Sequence, residues 1–282
     1  MNFNNMRKIK TIVTFLVVLN AICASGSDIQ KYYEKLDDAF SNRSTTEIVM
    51  ILSETESSEF WSFGAGLGPT NNESFQIRVT SLLFNYFGTE EGYLKNIDSG
   101  AAKSDLDENS KKWIDFFQVS PKNSDRVLFL LNSEKGALRN IGLHKVEYID
   151  SIDKKIESAL RNIFSNDPYF QIVRKPVNPK GSRPAPPGLT ENEVVFPLRK
   201  FSCQLLTKFG HPCELNEMTM AKDFIEILAQ MWKENPEQRT AIEIALKLLN
   251  KKEYYQKALS ELEPAENMHL VYLKFSEMLD VK

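Results

Sequence analysis

The chain has 282 residues, 42% of them hydrophobic and 26% charged, and its 35 lysines and arginines against 38 acids leave a formal charge of -3. That is the composition of a folded globular protein, long enough for one large or two ordinary domains. So even a balance gives no electrostatic footprint for nucleic acid or an anionic membrane surface, and neither is expected as a partner.

Arg7, Lys8 and Lys10 precede an apolar run from Thr11 that closes in the small residues Ala24, Ser25 and Gly26, the layout of a signal peptide over residues 1-26. The run is roughly a dozen residues, short of the ~20 that cross the hydrocarbon core, so cleavage rather than a membrane span is expected. The mature chain would then be secreted or periplasmic. A lipoprotein at the cell surface is the alternative, with Cys23 as lipid anchor, although bulky Ile22 stands where that site wants a small side chain.

The mature chain reads mostly at helical period. Ile29, Tyr32, Tyr33, Leu36 and Phe40 share one helix face, and the capping box Ser44 to Glu47 opens a second helix. From Glu56 to Asn72 the pattern breaks around Gly64, Gly66, Gly68 and Pro69, which predicts a loop packed down by Phe60, Trp61 and Phe63. Ile77, Leu82, Leu83, Tyr86 and Phe87 restore the period, with Gly88 placed for a left-handed C-cap. A short helix over Tyr93 to Ile97 and a polar segment from Asp98 to Lys112 lead to the aromatic cluster Trp113, Phe116 and Phe117.

Arg126 to Leu131 fits a buried helix or a strand equally well. Ile149, Ile152, Ile156, Leu160, Ile163 and Phe164 predict a helix that ends at Asn166-Asp167-Pro168, where an N-cap and a proline at N1 would start another element. Five prolines between Pro176 and Pro187 exclude a helix there. Residues 176-190 are therefore expected to be a proline-rich linker between an N-terminal helical region, 27-175, and a C-terminal one, 191-282.

Thr190 to Glu193 reads as a second capping box, leading a helix through Val194, Leu198, Phe201, Leu205 and Phe209. Further helices follow over Ala221 to Trp232, Ala241 to Leu249, Tyr254 to Leu262 and Met268 to Leu279. The fold class expected is mainly α, an irregular α-solenoid or a stacked helical bundle. If Cys23 leaves with the leader, Cys203 and Cys213 remain, and one disulfide closing a loop of about ten residues is the natural pairing, with two free buried thiols as the alternative.

Leu198-Arg-Lys-Phe-Ser-Cys-Gln-Leu-Leu-Thr-Lys-Phe-Gly210 resembles the second-helix pattern of HEAT-like repeats, and Ile77 to Gly88 looks like a copy one residue shorter. Ala137-Leu-Arg-Asn-Ile141 recurs as Ala159-Leu-Arg-Asn-Ile163, and Tyr255 to Pro264 is more like a tetratricopeptide helix. No fixed period links these matches, which cover about a quarter of the chain. The resemblance implies a face of stacked helices that binds another protein, and it carries over no catalytic residues.

Residues able to carry chemistry are sparse. His144, His211 and His269 are not spaced to share a metal. Gly64-Ala-Gly66-Leu-Gly68 lacks the lysine of a phosphate loop, and the calcium-loop start at Asp105 has Ser110 at the turn glycine and Phe116 at the bidentate glutamate. Neither catalysis nor a cofactor is expected. The function expected is an exported protein-protein interaction or scaffold module, with Trp61, Phe63, Trp113 and Phe117 as candidate partner contacts. An exported hydrolase with a dispersed acidic site and a small-ligand carrier are the alternatives. Asn42 and Asn72 are glycosylation acceptors if the source is eukaryotic.

Overall fold

The computed structural model describes residues 27-58, 60-64, 68-87, 106-176 and 190-280. Among them the protein is mainly helical, with twelve α-helices and two short antiparallel strand pairs. The leader, Cys23, Gly88, the helix expected over 93-97 and residues 177-189 of the proline segment lie outside the described residues.

Helix α1 (Ser27-Ser41) buries Ile29, Tyr33, Leu36 and Phe40, the face its period marks out. The chain reverses at Arg43, whose φ of 55° is left-handed, and Ser44 caps α2 (Thr45-Glu56) by accepting the Glu47 N-H at 3.3 Å. The stretch expected to be a loop contains instead two paired strands, β1 (Trp61-Gly64) and β2 (Gly68-Asn71). Helix α3 (Asn72-Phe87) follows.

Local caps decide the next boundaries. Helix α4 (Glu108-Phe117) starts inside the polar segment because Asp107 accepts the Ser110 N-H at 2.7 Å. The ambiguous apolar run is helix α5 (Ser124-Leu131), capped by Asn123 on the Arg126 N-H at 3.2 Å. Helix α6 (Gly136-Val146) is buried on nearly every side and so shows no amphipathic stripe. It crosses α5 closely at Gly142, where a Cβ would stand 3.0 Å from the Leu131 nitrogen. Helix α7 (Lys154-Asn166) begins only after Asp153, which accepts the Lys155 and Ile156 N-H groups, so Ile149 and Ile152 precede it.

Two expected helix starts are corrected. Asp167-Pro168 begins no helix but leads into β3 (Gln171-Pro176), and Thr190 to Glu193 is not a capping box but part of β4 (Thr190-Val195). The two strands pair antiparallel from Gln171 opposite Val195 to Pro176 opposite Thr190, so the proline segment joins two ends already held side by side. Helix α8 (Pro197-Lys208) starts at its proline, which needs no N-H partner at N1. Helices α9 (Glu217-Glu234), α10 (Arg239-Lys247), α11 (Lys252-Ser260) and α12 (His269-Leu279) complete the chain.

Two hydrophobic cores result. The first runs from Ile29 to Tyr169 and takes in Leu198, Leu205 and Leu206 of α8. The second joins Phe170, Ile172 and Phe196 to α9-α12. Their division thus falls at residues 169-170, with α8 returning to the first core, and not at the proline segment. A buried polar ladder ties the two together. Arg139 Nε lies 2.6 Å from the Asp167 carboxylate, Arg199 Nε donates to the Asp167 carbonyl at 2.6 Å, and the other end of Arg199 bonds Asp223 on α9.

Candidate functional site

The second unit carries a cleft of about 250 Å³ where β4, the start of α9 and the start of α11 meet. Glu193 and Val194 reach it from β4, with Phe196 just beyond. Glu217, Met220 and Ala221 come from the first turns of α9, fixed by Asn216, whose side chain accepts the Thr219 N-H at 3.0 Å. Asn250, Lys251, Tyr254 and Tyr255 form the third wall. Lys251 has φ 51°, a left-handed residue that turns the chain between α10 and α11, and its N-H is taken by the Asn250 side chain at 2.7 Å.

The walls are aromatic. Tyr254 and Tyr255 stand nearly perpendicular with centroids 6.3 Å apart, and Tyr255 meets Phe224 edge-on at 5.6 Å. Phe224 in turn meets Phe170 edge-on at 5.1 Å, so the cleft is anchored in the second core. Burial and then the Glu193 carboxylate push the Tyr255 phenol above its ordinary range, Glu217 adding to them against a hydrogen bond from the Val194 backbone. Tyr254 is also raised, by burial first and Glu217 second. Both phenols therefore stay protonated at neutral pH, and the fixed charges of the lining are two carboxylates and the exposed Lys251 ammonium.

No ion pair holds Glu217 among the described residues, and its side chain is exposed at the rim. Chemically the cleft offers aromatic faces, a short apolar wall and negative charge. It contains no Cys or His in its lining. Among the described residues no group of three or more His, Cys, Asp and Glu is placed to hold a metal.

The contact residues expected from the sequence lie elsewhere. Trp113 and Phe117 on α4 are 1% and 0% exposed in the first core, which corrects their reading as an exposed contact. Their spacing marks a buried helix face, and α4 turns it onto α2 and α6. Trp61 and Phe63 lie on β1, and their side chains lie outside what is described. Cys203 and Cys213 are joined by a disulfide with Cα atoms 5.8 Å apart, binding α8 to the loop after it. His211 in that loop lies 3.3 Å from Glu157 of α7.

The cleft residues themselves escape sequence reasoning because they come from three segments, each of which reads as ordinary helix or turn. The adjacent tyrosines at 254 and 255 gave no distinct signal, since Tyr32 and Tyr33 are adjacent in α1 and belong to the first core. The chain matches no protein-family model, no curated protein and no solved structure.

Proposed function

We propose that this chain is an exported, helical protein-protein interaction module that engages its partner at the cleft between β4, α9 and α11. The observation that carries the reading is the cleft's size and lining together. Its volume of about 250 Å³ is below the roughly 300-1,000 Å³ of sites that enclose a whole small ligand. It is ample for one or two side chains of a docked protein, and aromatic residues at such a point are favoured anchors.

The stacked-bundle form of the fold is the one we favour over an open solenoid, because α9 packs on α10, α11 and α12 alike, whereas repeats in a solenoid touch successive neighbours. The HEAT-like resemblance keeps one support. Arg78 and Arg199, the arginines of its two matched segments, are both buried and bond outside their own helices, Arg78 from mid-helix to Thr70 of β2 and Arg199 from a helix start to the Asp167 carbonyl. Export rests on the leader pattern and agrees with the Cys203-Cys213 bridge, since disulfides persist in oxidising compartments. No described helix is long and apolar enough to cross a membrane.

The test is photocrosslinking of the full chain carrying a photoreactive side chain at Lys251, with a second probe at Phe129, which is 60% exposed on the first unit. A discrete protein adduct from position 251 alone is expected. Equal labelling from both positions, or none from 251, would remove the cleft from the account. Glu193 and Glu217 in one cleft favour a second reading, an exported hydrolase using that carboxylate pair. Turnover of a substrate that Glu217→Gln abolishes would decide for it.

A further inference from the structure

We infer that the cleft takes the cationic side chain of a partner protein, a guanidinium or ammonium on an apolar stem. This rests on the reading of the cleft as the contact site and specifies the chemistry of what enters it.

Three features select a cation. Tyr254 and Tyr255 line the space with aromatic rings, whose faces attract a positive charge, whereas the Phe196 ring is already covered by the Arg199 guanidinium 4.4 Å from its centroid. Glu193 from β4 and Glu217 from α9 both line the space, so a charged head entering it meets negative charge, that of the exposed Glu217 at the rim. Val194, Met220 and Ala221 supply an apolar patch along which a methylene stem can lie while its head stays near water. Glu217 has no cation of its own among the described residues, so binding one breaks no existing pair there.

An anion is the poorer guest. The first turn of α9 would attract one through its unpaired N-H groups, but Glu217 occupies that turn with a negative charge and Asn216 takes the Thr219 N-H. Lys251, the one basic group of the lining, is exposed at the rim. A neutral apolar guest would leave both carboxylates and both phenols facing it. Arginine fits better than lysine, because its planar head can stack on a tyrosine ring and still donate to a carboxylate.

Calorimetric titration of the full chain with blocked pentapeptides, Gly-Gly-X-Gly-Gly, tests this with X as arginine, lysine or citrulline, and with butylammonium as the free-amine arm. Citrulline keeps the shape of arginine without its charge. The arginine peptide is expected to bind at least about tenfold tighter than the citrulline peptide, and more weakly at high salt. In Glu217→Gln the arginine peptide should lose about three- to tenfold in affinity, with the citrulline peptide unmoved. Equal binding of the arginine and citrulline peptides would overturn the inference. Butylammonium binding as tightly as the peptides would overturn its protein source, leaving a small-amine site.

The peptide comparison needs no variant to fold, and Glu217 is exposed. A partner adduct at position 251 combined with no charge preference among the peptides would sink this inference alone. No adduct and no peptide binding would sink the proposed function with it.

Discussion

The two cores are held by different kinds of contact. All the buried polar and charged side chains among the described residues belong to the first unit or to the junction, from Thr45 to Ser202, and none lies beyond. In the first unit Asn140 bonds Thr80 at 2.9 Å, Gln76 reaches Thr55 at 3.1 Å, Arg78 reaches Thr70 at 3.1 Å and Lys145 donates to the Phe117 carbonyl at 2.7 Å. The second unit relies on apolar and edge-on aromatic packing, and leaves Leu270 at 79% and Leu273 at 51% exposure. Satisfied buried polar groups fix one arrangement of helices, because any shift leaves them unpaired. An apolar core lacks that constraint. The first unit is therefore the more tightly specified of the two, and the second carries the contact under the function proposed above.

The sharpest way to break this contrast is at Asp167, fully buried and shared by Arg139 and, through its carbonyl, Arg199. Asp167→Ala takes the carboxylate from the largely buried Arg139 guanidinium, which keeps only the Ser133 and Glu134 carbonyls, and should cost about 3-5 kcal/mol of stability. Urea unfolding followed by circular dichroism would show the midpoint fall. A loss under about 1 kcal/mol would mean the ladder is ornamental to the fold.

The Cys203-Cys213 bridge ranks next. It closes a loop of 10 residues, so Cys203→Ser with Cys213→Ser should cost about 2-3 kcal/mol in the chain-entropy account. The effect should fall on α8 and the loop after it, read as lost hydrogen-exchange protection there, with the first core beyond α8 retained.

Asp153 tests the scaffold through pH. Its carboxylate accepts the Ile156 N-H and the Lys155 N-H, bonds that hold its pKa below the usual aspartate range. A folded pKa lowered beneath the unfolded one gives stability that is present above the unfolded value and lost as pH falls through the folded value. Asp153→Ala should cost about 1 kcal/mol at neutral pH, the usual value of such a cap. Wild type and variant should converge as pH falls below the folded value. A gap that persists in acid would assign the loss to packing.

The smallest effect is expected on the open face of the second unit. Leu270→Ser and Leu273→Ser remove side chains that are mostly in water already and should each change stability by less than about 0.5 kcal/mol. A larger loss in dilute protein would show that this face is covered in solution.

Helical period located most of the elements, because α1, α7, α9 and α12 each bury a stripe at that spacing. It failed at α6, buried on almost every side, and at β3 and β4, whose pairing depends on a partner across the proline segment. Caps were mixed guides. Ser44 behaves as its pattern promises, yet Thr190 to Glu193 has the same pattern in a strand, since pairing with β3 supplies the backbone partners a helix would have offered. The aromatic pair Trp113 and Phe117 was legible as a cluster, contact or core, and α2 and α6 had to be in place to decide for core. The cleft was not legible, because Glu193, Glu217 and Tyr254 meet only once α9 and α11 pack on β4.

Competition at position 251 tests the central claim most directly. With the photoreactive probe there, excess arginine pentapeptide should suppress the partner adduct while the citrulline pentapeptide leaves it intact. An adduct equally resistant to both peptides would place the partner's contact outside the tyrosine-carboxylate cleft and contradict the account.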